Sequence, residues 1–172
     1  GRKDAPRGEC TFKADFVITK ETAFLNPKST ILNPQSSTPA FIPASWLSET
    51  STRIAAYREL SEAGTEKAVD ALEDSWRDRF GRLPDAAENL LIIARIKALA
   101  AAESIASVEI QGQRLMLHRG GDYILLEGRR FPEFQRVGRL HVVVSVEQQV
   151  RRVPGGLLRR VVGDDHGLAG RL

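Results

Sequence analysis

The feature that most constrains the fold of this chain is a helical segment with apolar side chains on almost every side. It extends from Pro84 to about Ala102 and contains Leu90, Leu91, Ile92, Ile93, Ala94, Ile96, Ala98 and Leu99. Only a thin polar stripe through Glu88, Arg95 and Glu103 interrupts this surface. A helix that is apolar around most of its circumference is buried on most sides in a globular protein. We therefore predict a central helix that contacts both other helices and a sheet.

Residues typical of a helix C-terminus, followed closely by residues typical of a helix N-terminus, lie at the beginning of this segment. Gly81 occupies the position where a helix ends in a left-handed residue, a conformation that glycine adopts without a Cβ penalty. Pro84 suits the first turn of the next helix, and Asp85 there complements the positive end of the helix dipole. A loop of about three residues is typical of neighbouring helices. The helices on either side of Gly81 are therefore predicted to pack against each other.

Two amphipathic helices are predicted before Gly81. Ser48 or Thr50 can cap the first helix, which is expected to extend to about Ala63. Its apolar positions lie three apart, at Ile54, Tyr57 and Leu60. Thr65 begins the second helix, whose apolar positions recur at spacings of three and four, at Ala68, Val69, Leu72, Trp76 and Phe80.

Strands are predicted on both sides of the helices. Residues 10–18 alternate between apolar and polar side chains, which is typical of a half-buried strand. The Pro- and Ser-rich stretch 22–40 is expected to be an extended surface loop. Residues 41–47 are expected to form a short anchored turn that buries Ile42, Trp46 and Leu47 against a helix. After the helices, alternating or β-branched runs predict strands at 107–111, 114–118, 123–126 and 140–146.

Together these elements predict an α+β fold, with helical hairpins around a buried central helix that packs on a small, mainly antiparallel sheet. We divide the chain into a lead-in strand and loop at 1–40 and a main domain at 41–150. Within that domain we expect helices over 50–102 and a sheet over 106–146. An arginine-rich, poorly ordered tail is expected at 151–172.

Charge is unevenly distributed along the 172 residues, although the net charge is only +3. Residues 128–172 carry nine arginines against four acidic residues, a local net charge of +5. This asymmetry supports an alternative interpretation as a nucleic-acid-binding accessory module. The longest apolar run is too short and too charged to span a bilayer, so no membrane partner is predicted. One cysteine, Cys10, cannot form an intrachain disulfide, and we expect a cytoplasmic location.

Residues that carry chemistry are sparse. Neither a G-x-x-x-x-G-K-[S/T] phosphate loop nor a G-x-G-x-x-G loop after a strand occurs in the sequence. His118, His141 and His166 are too scattered for a zinc site, and His118 and His141 are expected at the surface or in packing. Two weak hydrolase hypotheses remain, a thiol nucleophile at Cys10 and a metal at Asp164–His166. We predict no catalytic, cofactor-binding or metal-binding residue.

Four segments, in the same order over about 65 residues, resemble one known family. They are Ile42–Leu47 (I-P-A-S-W-L), Arg53–Arg58 (R-I-A-A-Y-R), Ser75–Pro84 (S-W-R-D-R-F-G-R-L-P) and Asn89–Lys97 (N-L-L-I-I-A-R-I-K). The family is the carboxy-terminal (TRCF) domain of bacterial transcription-repair coupling factors. The matching positions that we assign to the structural motif are Ile42, Pro43, Trp46, Arg53, Tyr57, Phe80, Gly81 and Pro84. Ser75 stands where the family has a glutamate, with Asp74 one place earlier.

The resemblance implies a non-catalytic regulatory domain of a DNA-repair translocase. In the family the ATP- and Mg-dependent motor lies upstream, and this domain packs against an amino-terminal repair-like module of the same chain. That contact masks the surface that recruits the excision-repair damage-recognition ATPase, and RNA polymerase and DNA are indirect partners. The resemblance also implies that charged residues near Gly81 form the interdomain contact, and we select Asp74, Asp78, Arg79 and Arg82.

Overall fold

The computed structural model describes residues 9–21, 37–112 and 114–124. The predicted helices are present as α1 (Thr50–Glu62), α2 (Glu66–Phe80) and α3 (Asp85–Ala102). Thr65, where the second helix was predicted to begin, caps α2, because its hydroxyl oxygen accepts a hydrogen bond from the backbone N–H of Ala68 at 3.1 Å. No helix in the described ranges is both long and apolar enough to cross a membrane.

The main sheet combines strands from both ends of the described chain. It contains β1 (Thr11–Ala14), β4 (Ser107–Gln111), β5 (Arg114–Arg119) and β6 (Asp122–Tyr123), in the order β1-β4-β5-β6. The β4–β5 and β5–β6 pairs are antiparallel, whereas β1 lies parallel to β4 with Thr11 opposite Ser107. The predicted α+β class with a mainly antiparallel sheet is confirmed. The amino-terminal strand, expected as a lead-in, is an edge strand of this sheet.

The single strand predicted for residues 10–18 is wrong, because the chain divides there into two strands. After β1 it leaves the main sheet and forms β2 (Val17–Ile18), which pairs in parallel with β3 (Thr38–Pro39). The break has a physical cause. Strand β4 ends where the chain turns at Gly112, and the Asp15 carboxylate accepts a hydrogen bond from the Gly112 N–H at 2.9 Å. No further β4 residue remains to pair with residues after Asp15.

Helix α3 lies between two apolar clusters, as its composition predicts. Toward the sheet, Ile93 and Ile96 pack with buried β-strand side chains including Val108, Ile110, Leu115 and Leu117. On another side, Leu91 packs with Ile42, Leu47, Ala56, Val69, Trp76 and Leu83. The predicted burial of the central helix is confirmed.

The turn between α2 and α3 differs in detail from its prediction. Gly81 has the expected positive φ of 79°, but its ψ of −152° lies in the mirror-extended region and not in the left-handed helical region. That region is essentially restricted to glycine. Pro84 is the residue before the first helical turn, where its carbonyl accepts from the N–H groups of Ala87 and Glu88 at 2.9 and 3.1 Å.

Helix α1 packs less deeply than expected, and its cap is not the one predicted. Glu49 precedes the helix and gives no side-chain cap, so neither Ser48 nor Thr50 has that role. Ile54 and Tyr57 are 56% and 40% exposed, and the buried residue of α1 is Ala56. The small Ala56 side chain lets α1 lie close to the second cluster, and Leu60 packs partly buried against it, while Ile54 and Tyr57 remain exposed.

Only some of the remaining strand predictions fall on residues that the structure describes. The turn expected between β5 and β6 is a two-residue turn in which Gly120 and Gly121 have φ values of 59° and 96°. Positive φ at both positions is what such a tight turn requires. The predictions for 125–126, 140–146 and the tail at 151–172 lie outside the described residues.

The backbone of Gly81 gives a direct test of the turn. We expect Gly81→Ala to lower the free energy of unfolding by about 1–3 kcal/mol, because alanine does not readily adopt this conformation. No atom lies within 4 Å of the Cβ that the substitution adds, so the cost is one of backbone conformation. Urea unfolding of both proteins measures it.

Gly64, in the joint between α1 and α2, provides the matched control. It has equally open space for a Cβ but lacks a positive φ. Gly64→Ala is expected to be neutral or to stabilise the protein by up to about 1 kcal/mol. Equal effects at the two glycines would contradict the assignment.

Candidate interdomain contact surface

The four predicted contact residues lie together on the last turns of α2 and the loop that follows it. Asp74, Asp78, Arg79 and Arg82 are all exposed. Asp74 and Asp78 are four residues apart and therefore lie on the same face of the helix. Trp76, between them in sequence, is fully buried and points into the domain. The outward direction of the charged side chains is thus fixed by the packing of the same helix.

An aromatic cluster anchors this end of α2. The Trp46 ring packs edge-on against Trp76 at 6.1 Å and against Phe80 at 5.7 Å between ring centroids. The Trp46 indole N–H also donates to the Phe80 carbonyl at 3.3 Å. Edge-to-face aromatic pairs of this kind add to the stabilisation that burial provides. The motif residues Trp46 and Phe80 therefore hold the end of α2 in place.

The segment that carries Trp46 is itself held by α1. The Tyr57 hydroxyl accepts a hydrogen bond from the Ile42 N–H at 2.8 Å. The Arg53 guanidinium donates to the carbonyls of Leu47 and Ser48 at 2.6 and 2.8 Å. Within the turn, the Pro43 carbonyl accepts from the N–H groups of residues 46 and 47. Arg53 and Tyr57 thus act as supports for residues 42–48.

Ion pairs divide the four charged residues into two kinds. Arg79 donates to both carboxylate oxygens of Glu59, at 2.6 and 3.2 Å, and its Cζ lies 4.8 Å from the centroid of the Phe80 ring. Asp74 lies 3.7 Å from Arg77. Asp78 and Arg82 form no ion pair or hydrogen bond through their side chains with another described residue. Asp78 and Arg82 are therefore the charges that remain available to a partner.

Glu59 is a residue of this site that sequence reasoning missed. Its carboxylate also accepts from the buried Trp76 indole at 3.0 Å. The hydrogen bond from Arg79 and that from Trp76 together outweigh burial and lower the pKa of Glu59. Glu59 is separated from these donors by 17 and 20 residues, so helical spacing does not indicate the contact. The only sequence signal is that a buried tryptophan usually finds an acceptor for its N–H.

A second ion network lies one turn earlier and joins α2 to α3. Arg95, in the polar stripe of α3, donates to Asp70 at 2.7 Å and to Glu73, which also pairs with Arg77 at 2.7 Å. Burial raises the pKa of Glu73, but hydrogen bonds and attraction from Arg95 and Arg77 outweigh it, so that the pKa is lowered. Glu73 is therefore the carboxylate shared by Arg77 of α2 and Arg95 of α3. Ser75, in the position where the family has a glutamate, is half-buried.

The weaker chemical hypotheses receive no support from the described residues. Cys10 lines a groove of about 1100 Å³ between β1, α3 and the corner that joins α1 to α2. Burial raises the pKa of the Cys10 thiol to about 11, which keeps it protonated and unreactive at neutral pH. His118 packs edge-on against Tyr123 at 5.3 Å. In the described ranges no group of three or more His, Cys, Asp and Glu side chains is arranged to hold a metal ion. His141 and Asp164–His166 lie outside those ranges.

The family model described as the TRCF domain matches residues 36–122, more than half of the 172 residues. The chain belongs to the TRCF domain family.

Several transcription-repair-coupling factors are similar to this chain in sequence. The protein from Rickettsia typhi is 32% identical over 94 residues, which cover 55% of this chain. The protein from Escherichia coli K12 is 34% identical over 71 residues, or 41% of this chain. These matches span only 8% and 6% of the two relatives' own lengths. A crystal structure of the C-terminal domain of transcription-repair coupling factor covers 65% of this chain and 56% of its own, with 18% identity and a TM-score of 0.48.

The network around Glu73 makes stability depend on pH in a defined direction. Because folding lowers the pKa of Glu73, its contribution is complete above the ordinary glutamate pKa of about 4.3 and is lost as the pH falls through the folded-state value. Glu73→Gln is expected to lower the free energy of unfolding by about 0.5–1 kcal/mol at neutral pH. The difference from the unsubstituted protein should then shrink on acidification, as measured by urea unfolding across the acid range.

Glu62→Gln is the control for this experiment. The Glu62 side chain is exposed and pairs with no other described residue, so little change is expected at any pH. A Glu73→Gln effect that is the same at neutral and acid pH would contradict the assigned ion pairs.

Proposed function

We propose that this chain is the non-catalytic, regulatory C-terminal domain of a transcription-coupled DNA repair translocase. In this proposal it packs against an amino-terminal, repair-like module of the same protein and masks the surface that recruits the damage-recognition ATPase. The observation that carries the proposal is the end of α2, where Asp78 and Arg82 are exposed and unpaired among the described residues on a rigid aromatic base. Membership of the TRCF domain family supports the same assignment.

The proposed contact is a two-state element whose population is shifted by binding elsewhere in the protein. Exposed ion pairs suit such a contact, because they fix its register while contributing little net affinity. A contact of this kind holds the parent protein closed at rest and opens when the motor engages stalled RNA polymerase on DNA. Regulation then comes from release of the contact, and the domain itself supplies no chemical step.

The parent protein is proposed to be an ATP-dependent DNA translocase of the cytoplasm, with ATP and Mg bound in a motor outside this chain. The names of the relatives as transcription-repair-coupling factors support this parentage. The matched segment is a small fraction of each of those proteins. RNA polymerase, DNA and the repair ATPase are proposed as partners of the whole protein, which includes the motor.

Removing the two exposed carboxylates near the end of α2 tests the autoinhibitory contact. In the full-length parent protein, Asp74→Ala combined with Asp78→Ala is expected to raise affinity for the repair ATPase about fivefold or more, because loss of the contact exposes the recruitment surface. Titration calorimetry or a pull-down with the purified ATPase measures the change.

Glu62→Ala serves as the matched control, since it also removes an exposed carboxylate but lies away from the end of α2. It should leave the affinity unchanged. If the double alanine variant folds normally and binds the repair ATPase no more tightly, the autoinhibitory contact is overturned.

A second function is supported by the charge of residues 128–172. Their net charge of +5 is suited to the phosphate backbone of nucleic acid. Under this alternative the chain binds duplex DNA at low salt, and its affinity falls steeply as salt rises, because each phosphate contact releases counterions. A variant ending at residue 127, with a net charge of −2 by the same count, is the control. Fluorescence anisotropy that detects no binding at low salt would exclude this alternative.

A further inference from the structure

We infer that Glu59 is a positioning residue for the proposed contact, because it fixes the Arg79 side chain and thereby determines which charges the end of α2 presents. This inference rests on the proposed function and names a residue outside the four charged positions assigned to that contact. Glu59 lies on α1, so it also makes the contact surface depend on the packing of α1 against α2.

The carboxylate of Glu59 receives three hydrogen bonds from α2. Its Oε2 accepts from Trp76 Nε1 at 3.0 Å and from Arg79 Nη2 at 2.6 Å, and its Oε1 accepts from Arg79 Nη1 at 3.2 Å. Two-point pairing of a carboxylate with a planar guanidinium fixes orientation as well as position. Trp76 is fully buried and therefore supplies an immobile donor. The buried Trp76 N–H thus fixes the Glu59 carboxylate, and that carboxylate in turn fixes the Arg79 guanidinium.

Arg79 is confined on its other side by Phe80. The guanidinium carbon lies 4.8 Å from the Phe80 ring centroid, and that ring packs against Trp46. The Arg79 side chain nevertheless remains 42% exposed. A side chain ordered before binding loses less conformational entropy when a partner docks. Arg79 is thus prearranged for contact, and its charge is balanced within the domain.

The charge balance gives the direction of the effect. With Glu59 ionised, the Glu59–Arg79 pair is neutral, and Asp78, the residue before Arg79, has no ion-pair partner among the described residues. A partner that places a cation against Asp78 then meets the unpaired charge of Arg82 at this helix end, but no second uncompensated cation from Arg79. Without the Glu59 charge, Arg79 becomes a free and mobile cation next to Asp78. It then repels that partner cation and competes for the same carboxylate.

The test measures binding of this 172-residue chain to the isolated amino-terminal module of the parent protein by titration calorimetry. Glu59→Gln keeps the side-chain length and an oxygen that accepts the Trp76 N–H, so the fold is preserved. We expect the affinity to fall about twofold to fivefold, in the range of a single exposed ion pair. Thermal unfolding of each variant confirms that the folded population is unchanged at the binding temperature.

A double-mutant cycle separates positioning from general support. In an Arg79→Ala background, Glu59→Gln is expected to cause no further loss of affinity, whereas a merely structural role predicts the same loss in both backgrounds. Glu49→Gln is the matched control, because among the described residues the Glu49 carboxylate accepts only from Ser51 and Thr52 near the start of α1. It should leave binding unchanged.

The outcomes distinguish the inference from the proposed function. Binding by the unsubstituted chain with no change in Glu59→Gln overturns the role of Glu59 and leaves the interdomain contact standing. Failure of the unsubstituted chain to bind the module overturns both. A loss that disappears in the Arg79→Ala background supports the positioning role.

Discussion

Burial of α3 determines how the other elements are arranged. Its apolar side chains are too numerous for one neighbour to cover, so the sheet packs on one side and α2 with residues 42–47 on another. Arg95 belongs to the polar stripe of α3, and a half-buried cation requires partners. Asp70 and Glu73 supply them from α2, so the same ion pairs that satisfy Arg95 also set how α2 lies along α3. The end of α2, with its exposed charges, is positioned as a consequence.

The sequence was most informative where the signal was local. Gly81 and Pro84 located the end of α2 and the start of α3 to within about one residue, because both residues act through their own backbone conformations. The burial of α3 followed from its composition without knowledge of its neighbours. The four charged candidates were also brought together, since residues 74–82 are close in sequence and share one helix end.

Contacts between distant segments could not be predicted in this way. The parallel pairing of Thr11 with Ser107 joins strands almost a hundred residues apart, and neither strand carries a signal for the other. Helix α1 shows the limit even at short range. Ile54 and Tyr57 have the spacing of a buried face, yet they lie outside because Ala56 makes the close contact. Likewise, only the folded chain shows that Glu59 neutralises Arg79.

This internal neutralisation has an energetic consequence for the proposed contact. Two free charges, on Asp78 and Arg82, contribute about 0.2–1 kcal/mol each when exposed, so the contact is expected to be weak between two separate molecules. Within one chain, however, the linked domains meet at an effective concentration in the millimolar range, so a weak contact is still occupied. A binding event elsewhere that differs by a few kcal/mol between the two states is then sufficient to open it. Glu59 supports this weak contact, because it neutralises Arg79 within the domain and so keeps that cation from competing with the partner for Asp78.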